Sequence, residues 1–186
     1  GTGPTLLFTD SAGDSFSGPN LNMYRDSSSV NNDDILGSLN WQGNNNNAEI
    51  VSYASLRSSI VSKTDGSEDG RLFFGVLASG THTTMASITG TGLGIGTTSP
   101  DDLLHLKGTD ATLLVEDAGS NSNPAVEIKN DAVHWKLQAR GGDSDNFRIA
   151  EGSNIHTVID TSGNVGIGTT SPGTNLHISD DSTGLI

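Results

Sequence analysis

One segment of this chain is written twice. Leu93-Gly94-Ile95-Gly96-Thr97-Thr98-Ser99-Pro100 leads to Leu104-His105-Leu106, and Val165-Gly166-Ile167-Gly168-Thr169-Thr170-Ser171-Pro172 leads to Leu176-His177-Ile178. Gly94 and Gly166 are 72 residues apart, and so are His105 and His177, with no gap between the two landmarks. The fold must therefore build one local structure twice, and that structure must need glycine at alternate positions. In an extended chain Leu93 and Ile95 point to one face and only hydrogens to the other. A face without Cβ atoms lets another backbone approach closely or permits unusual dihedrals. Val165 and Ile167 repeat the arrangement. Thr97-Thr98-Ser99-Pro100 then offers hydroxyls for local backbone bonds and a proline expected to end the strand.

A second landmark fixes the units. Thr5-Leu6-Leu7-Phe8-Thr9-Asp10 resembles Thr112-Leu113-Leu114-Val115-Glu116-Asp117, and each precedes a polar turn with Pro19 or Pro124. These lie 107 residues apart, so the first unit carries 35 residues that the second lacks. Leu185-Ile186 falls in register with Leu113-Leu114, and Gly1 opens the chain just ahead of Leu6-Leu7 without an initiator Met. Both ends sit at the same phase of the repeat, as expected for a piece of a longer repetitive protein. The expected division is a long unit over residues 1–107, a short unit over 108–178, each ending in a Gly-rich neck, and the start of a further repeat at 179–186.

Composition sharpens the problem. Of 186 residues, Leu, Ile, Val and Phe number 43, about 23%, barely above the level at which chains cannot fold alone. Such a chain has too little apolar surface for one thick globular core. With 22 acidic and 9 basic side chains the net charge is −13, which argues against nucleic acid or an anionic bilayer as partner. No run approaches the roughly 18 apolar residues of a membrane helix, and no signal peptide opens the sequence. The absence of cysteine removes disulfides, thiolate zinc sites and thiol nucleophiles.

Helical periodicity is missing, whereas alternation with period 2 recurs. Ile35, Gly37, Leu39 and Trp41 are expected to share one face, and Val133, Trp135, Leu137 and Ala139 another. Ile50, Ser52, Ala54 and Leu56 alternate with Val51, Tyr53 and Ser55, and shorter strands are expected at Leu21/Met23 and Phe147/Ile149. Polar clusters at 27–34, 44–47, 65–70 and 141–146 punctuate them as turns. The fold class is all-β with short strands. Segments this lean pack poorly alone. Set beside two copies of themselves around a threefold axis, Leu93, Ile95, Leu104, Leu106, Val165, Ile167, Leu176 and Ile178 are the candidates for a shared trimer core.

These glycine runs resemble a known family. Gly-Leu-Gly-Ile-Gly-Thr-Thr-Ser-Pro at 92–100 and Gly-Asn-Val-Gly-Ile-Gly-Thr-Thr-Ser-Pro at 163–172, each followed by Leu-His, are similar to the repeat of bacteriophage tail fibre and tailspike-like proteins. In the long unit Tyr53-Ala54-Ser55-Leu56, the run from Asp65 to Phe74, and Met85 to Ile88 resemble the larger repeat variety of the same proteins. The resemblance covers most of the chain, and the glycine signatures are its specific part. It implies an elongated homotrimeric fibre segment on a virion, with β-subdomains joined by Gly-rich necks. The implied role is structural and adhesive, not enzymatic, in reaching or holding the host surface. Other tail fibre or baseplate proteins and a host surface glycan are the implied partners. A self-cleaving chaperone domain often follows such repeats in the family; nothing in this sequence matches it. The competing readings are a catalytic tailspike that degrades host polysaccharide and a repetitive cell-surface adhesin of non-viral origin.

Other constellations carry less. His105 and His177 occupy equivalent places between apolar neighbours; three copies at one axial level could ligate a metal or anion, but a neutral, hydrogen-bonded imidazole is the plainer reading. Asp65-Gly66-Ser67-Glu68-Asp69-Gly70 fails the calcium-loop pattern, because the twelfth position is Val76, so a tight acidic turn is expected. The carboxylate pairs at 33–34, 68–69, 101–102 and 180–181 lie in polar turns rather than facing one cleft. There is no Gly-x-Ser-x-Gly elbow, and the glycines of 90–96 lack the helix and Gly-Lys-Ser/Thr of a phosphate cradle. No cofactor or metal is expected. For glycan contact the candidates are Asn44, Asn45, Asn46 and Tyr53, in or beside the 35-residue extension, where an outward loop is expected. Trp41 and Trp135 alternate with apolar residues as core positions do.

Overall fold

The computed structural model describes residues 21–142 and 145–179. The landmark at Thr5–Asp10 with Pro19, the pair Asp180 and Asp181, Leu185-Ile186 and residues 143–144 of one polar turn lie outside them. Among the described residues there is no helix, and the strands form two six-stranded sheets. The chain divides between Thr112 and Leu113, with one sheet on either side.

The first sheet runs in chain order through β1 (Ile35–Asn44), β2 (Ile50–Thr64), β3 (Ser67–Ala78), β4 (Thr81–Ile88), β5 (Leu93–Ile95) and β6 (Leu104–Leu106). The second repeats that order with β7 (Ala125–Lys129), β8 (His134–Arg140), β9 (Asn146–Glu151), β10 (Asn154–Ile159), β11 (Val165–Ile167) and β12 (Leu176–Ile178). Neighbours are antiparallel except the last pair of each sheet, β5 with β6 and β11 with β12, which are parallel. The Gly-rich segments are therefore the terminal strands of each sheet, not connectors outside it.

The additional residues of the first unit fall in two places: 17 precede β1 and 18 lie between the starts of β1 and β5, where they form no separate inserted loop. Its first four strands span 10, 15, 12 and 8 residues, against 5, 7, 6 and 6 in the second. The second of these parts lengthens hairpins that both units possess. Of the acidic run at 65–70, only Asp65-Gly66 turns the chain, with Gly66 at φ 74°, and Ser67 to Gly70 already belong to β3. A two-residue Asp-Gly loop suits a tight hairpin because glycine supplies the left-handed dihedral at little cost. Leu21 and Met23 form no strand; Met23 instead lies over Gly37, where a Cβ would collide with its sulfur. Bulges interrupt two expected alternations. One between Ile35 and Gly37 leaves Ile35 opposite Ser59, out of phase with Gly37, Leu39 and Trp41. The other, at Tyr53, puts Ser52 opposite Gln42 while Ala54 faces Trp41, so Ile50 and Ser52 fall out of phase with Ala54 and Leu56.

Register explains the repeated glycines. Directly opposed residues share a face, so each sheet reads as rows. Ser38, Arg57, Phe73, Ser87, Gly94 and His105 form one row. Ala125, Gln138, Arg148, Val158, Gly166 and His177 form its counterpart. Parallel neighbours normally need a crossover of about a dozen residues or more, yet only residues 96–103 join β5 to β6 and residues 168–175 join β11 to β12. So short a return must lie tight against the sheet. A Cβ on Gly94 would stand 2.5 Å from the Thr97 carbonyl oxygen, and one on Gly166 2.5 Å from that of Thr169. Gly96 and Gly168 reverse the chain at φ 74° and 71°, and a Cβ there would fall on the Lys107 and Ser179 carbonyl oxygens. The backbone expected to approach the glycine face belongs to the chain's own crossover. The same two glycines, rather than Pro100 and Pro172, end the strands. Thr97 Oγ1 accepts the Ser99 N–H and Thr169 Oγ1 the Ser171 N–H, each at 3.2 Å, so the hydroxyls bond locally as expected.

Candidate assembly surface

The crossover covers the polar side of each sheet. Ser87 is fully buried and donates its hydroxyl to the Thr97 carbonyl at 3.0 Å. Beside it Phe73 is 7% exposed, with the Arg57 and Arg71 guanidinium carbons 4.8 and 4.6 Å from its ring centre. Both cations lie within cation–π range, and Arg71 also pairs with Asp33 at 2.8 Å. In the second sheet Val158 is 1% exposed, and Asn146, Arg148 and Ala150 are buried beside it.

The apolar side is largely open, with Met23 lying on its β1 edge over Gly37. Leu39, Leu56, Phe74, Ala86, Ile95 and Leu106 make one row of it in the first sheet, with Leu72, Ile88, Leu93 and Leu104 in the next. In the second sheet Val126, Leu137, Ile149, Thr157, Ile167 and Ile178 lie beside Ala139, Phe147, Ile159, Val165 and Leu176. Along β8 the usual burial is reversed: Trp135, Leu137 and Ala139 are exposed, whereas His134, Lys136, Gln138 and Arg140 are half-buried. Isolated exposed apolar residues are ordinary, but contiguous faces of this kind mark interaction surfaces.

All eight core candidates lie on these faces. Ile95, Leu104, Ile167, Leu176 and Ile178 are exposed, the last three by 43%, 57% and 60%, and Leu93, Leu106 and Val165 are half-buried. None is enclosed by the strands of its own copy. Trp41 and Trp135 share the faces and are also exposed; the Trp135 ring lies 5.0 Å from that of His156, but neither tryptophan is enclosed within one chain. What sequence reasoning missed is the breadth of the surface. Leu39, Phe74, Ile88, Leu137, Phe147 and Ile159 belong to it as fully as the glycine-flanked residues. The alternation was visible, but which face would be covered depended on where the crossover lay.

The two histidines do the same job twice. His105 Nδ1 accepts the Asp101 N–H at 3.2 Å and His177 Nδ1 the Gly173 N–H at 3.3 Å. An accepting Nδ1 requires the tautomer with its proton on Nε2. Asp101 also brings a carboxylate oxygen to 3.4 Å from the same nitrogen, for which Gly173 has no counterpart.

Of the glycan candidates, Asn45 builds its turn: its Oδ1 accepts the Asn47 and Glu49 N–H groups and its Nδ2 donates to Glu49. Tyr53 lies across Gly43 and donates its hydroxyl to the Asn44 carbonyl at 3.3 Å. Asn44 and Asn46 remain exposed at this hairpin end. Among the described residues no three metal-ligating side chains converge, and no helix is long and apolar enough to cross a membrane. No protein-family model matches the chain, and no curated protein is similar to it in sequence.

Proposed function

We propose that this chain is a structural and adhesive segment of a viral tail fibre, a homotrimer whose copies turn their open apolar faces toward one another. The observation that carries the reading is the inversion seen in both units: each sheet covers its polar face with its own crossover and leaves its apolar face open. Burying a Leu or Ile side chain contributes about 1.5–3 kcal/mol, and the residues able to do so here lack partners within one copy. Folding and assembly are then coupled, so that stability depends on the concentration of copies. The number three, the place on a virion, the contact with other fibre or baseplate proteins and the attachment to a host surface follow the resemblance of the glycine repeats. On this reading the chain performs no catalysis.

Light scattering on the purified chain at micromolar concentration is expected to give the mass of three copies. A monodisperse monomer would overturn the proposal. Ile95→Asp combined with Ile167→Asp places charges in the face of both units and should dissociate the assembly, whereas Asn46→Asp at the exposed hairpin turn should leave its mass unchanged.

A further inference from the structure

We infer that the long hairpin of the first unit carries a binding site for an alkylammonium group, a primary amine on a short aliphatic body. A cleft of about 350 Å³ lies toward the turn that joins β2 to β3, with Val30, Leu36, Ile60, Lys63, Glu68 and Asp69 in its lining. That volume falls within the range of about 300–1,000 Å³ typical of small-ligand sites. In the second unit the strands stop short of this place. There β8 ends at Arg140 and β9 begins at Asn146, a pair that matches Ser59 and Arg71.

Three departures from a regular sheet meet at the cleft. β1 bulges at Leu36, between Ile35 and Gly37, and β2 bulges at Val61, between Ile60 and Ser62. Asp33 takes a left-handed φ of 67°. Bulges re-aim side chains and gather beside functional sites, and a strained dihedral persists only where its surroundings enforce it. The enforcing contacts are present. The Asp33 N–H donates to the Ile60 carbonyl at 2.8 Å, the Ile60 N–H to the Asp34 carbonyl at 3.0 Å, and the Lys63 N–H to Asn32 Oδ1 at 3.2 Å. The segment before β1 is thereby strapped across the end of β2, which brings Val30 into the wall.

The charges select the ligand. Glu68 stands directly opposite Lys63, where opposite charges ordinarily pair. The Lys63 ammonium instead donates to the Val30 carbonyl at 2.6 Å. Neither the Glu68 nor the Asp69 carboxylate has an ion-pair or hydrogen-bond partner among the described residues. Both residues, expected in a polar turn, lie on β3. Two carboxylates against one ammonium leave the cleft negative, and a chain of net charge −13 draws cations toward it. The aliphatic wall of Val30, Leu36 and Ile60 favours a cation with an apolar body over a bare metal ion. A primary ammonium brings three N–H donors, enough to serve both carboxylates. No aromatic ring is among the described lining residues, so the cage that suits a quaternary ammonium is missing. A free aliphatic amine and a lysine side chain share this chemistry. Every lining residue belongs to one copy, so the site does not depend on the assembly proposed above.

Methyl-resolved NMR on the full chain is the test, with hexylamine, hexanoate, methylamine and N-acetyl-lysine amide as probes. Hexylamine should shift the Val30, Leu36 and Ile60 methyl resonances and bind with a dissociation constant in the millimolar range or tighter. Hexanoate keeps the body and reverses the charge, methylamine keeps the charge and lacks the body, and each should bind at least tenfold more weakly. Glu68→Gln with Asp69→Asn, both at exposed positions, should weaken hexylamine at least tenfold while preserving the thermal transition. Unshifted methyls, hexanoate or methylamine binding as tightly as hexylamine, or indifference to the double variant would each overturn the inference. Binding of N-acetyl-lysine amide beside hexylamine would support the site with a protein lysine as its occupant, and binding of hexylamine without it would support the site with a free amine.

Discussion

The first and second units share strand order and crossover, yet differ in almost everything between. One has long hairpins and an aromatic residue clamped by two arginines; the other has short hairpins and a buried arginine at the matching position. Letter-for-letter repetition is confined to the Gly-rich strands and the crossover that joins them, where backbone geometry requires the glycines. Across the remaining rows only polarity repeats, because a sheet face needs apolar surface rather than particular side chains. The repeat is thus strict where the chain touches itself at the backbone and loose where it presents side chains.

This contrast can be broken at the glycines. Gly96→Ala and Gly168→Ala each combine a left-handed dihedral with a Cβ that falls on a carbonyl oxygen, an expected loss of about 2–5 kcal/mol from conformational strain and overpacking together. Gly66→Ala meets the same sign of φ in open space and should cost only about 1–2 kcal/mol. Denaturant unfolding of the three variants would order them. Equal losses at Gly96 and Gly168, both exceeding Gly66, are expected if the crossover is one structure made twice.

The sequence carried the sheets and the crossover unevenly. Period-2 alternation marked β1, β2, β8 and β9, and the Leu-Gly-Ile-Gly run marked a face that tolerates close backbone approach. Nothing in that run says whether the approaching backbone is a neighbour's or its own. The eight-residue return is a tertiary fact, decided when Thr97 lands on Gly94 and Thr169 on Gly166. Bulges at Leu36 and Tyr53 were equally hidden, since a single extra residue leaves the local pattern looking regular. The cleft beside Ile60 was invisible for a simpler reason: its residues come from β1, β2, β3 and the segment before β1, and no spacing links them.

A second way to sharpen the comparison is the paired position Phe73. Its ring fills the polar face of the first sheet, and Phe73→Ala should destabilise that unit by about 3 kcal/mol, leaving Arg57 and Arg71 without the face they lie against. Amide hydrogen exchange would locate the loss. Faster exchange is expected across β2, β3 and β4, with β8 to β10 unaffected, because the chain divides between the sheets.

The smallest expected difference lies in the loops that enter the crossovers. In the first unit Thr89 Oγ1 accepts the Thr91 and Gly92 N–H groups at 3.2 and 3.4 Å. In the second Asp160 stands in the same place, and the Asn164 backbone N–H above all holds its carboxyl below the usual carboxylate range. Burial opposes that shift, and the Asn164 side chain with the Ser162 and Gly163 N–H groups reinforces it. A depressed carboxylate stabilises fully above its unfolded value of about 3.9, and that contribution disappears as pH falls through the lowered folded value. Acid should therefore loosen the second loop while leaving the threonine loop of the first untouched. Asp160→Thr, which copies the first unit, should remove this acid dependence at a small cost in thermal midpoint at neutral pH. Protection factors at Ser162 and Asn164, exchange rates corrected for the intrinsic pH dependence of amide exchange, followed from pH 6 toward pH 3 in both proteins, would read it directly: a fall confined to the parent is expected, and parallel behaviour would mean that Asp160 does not govern the loop.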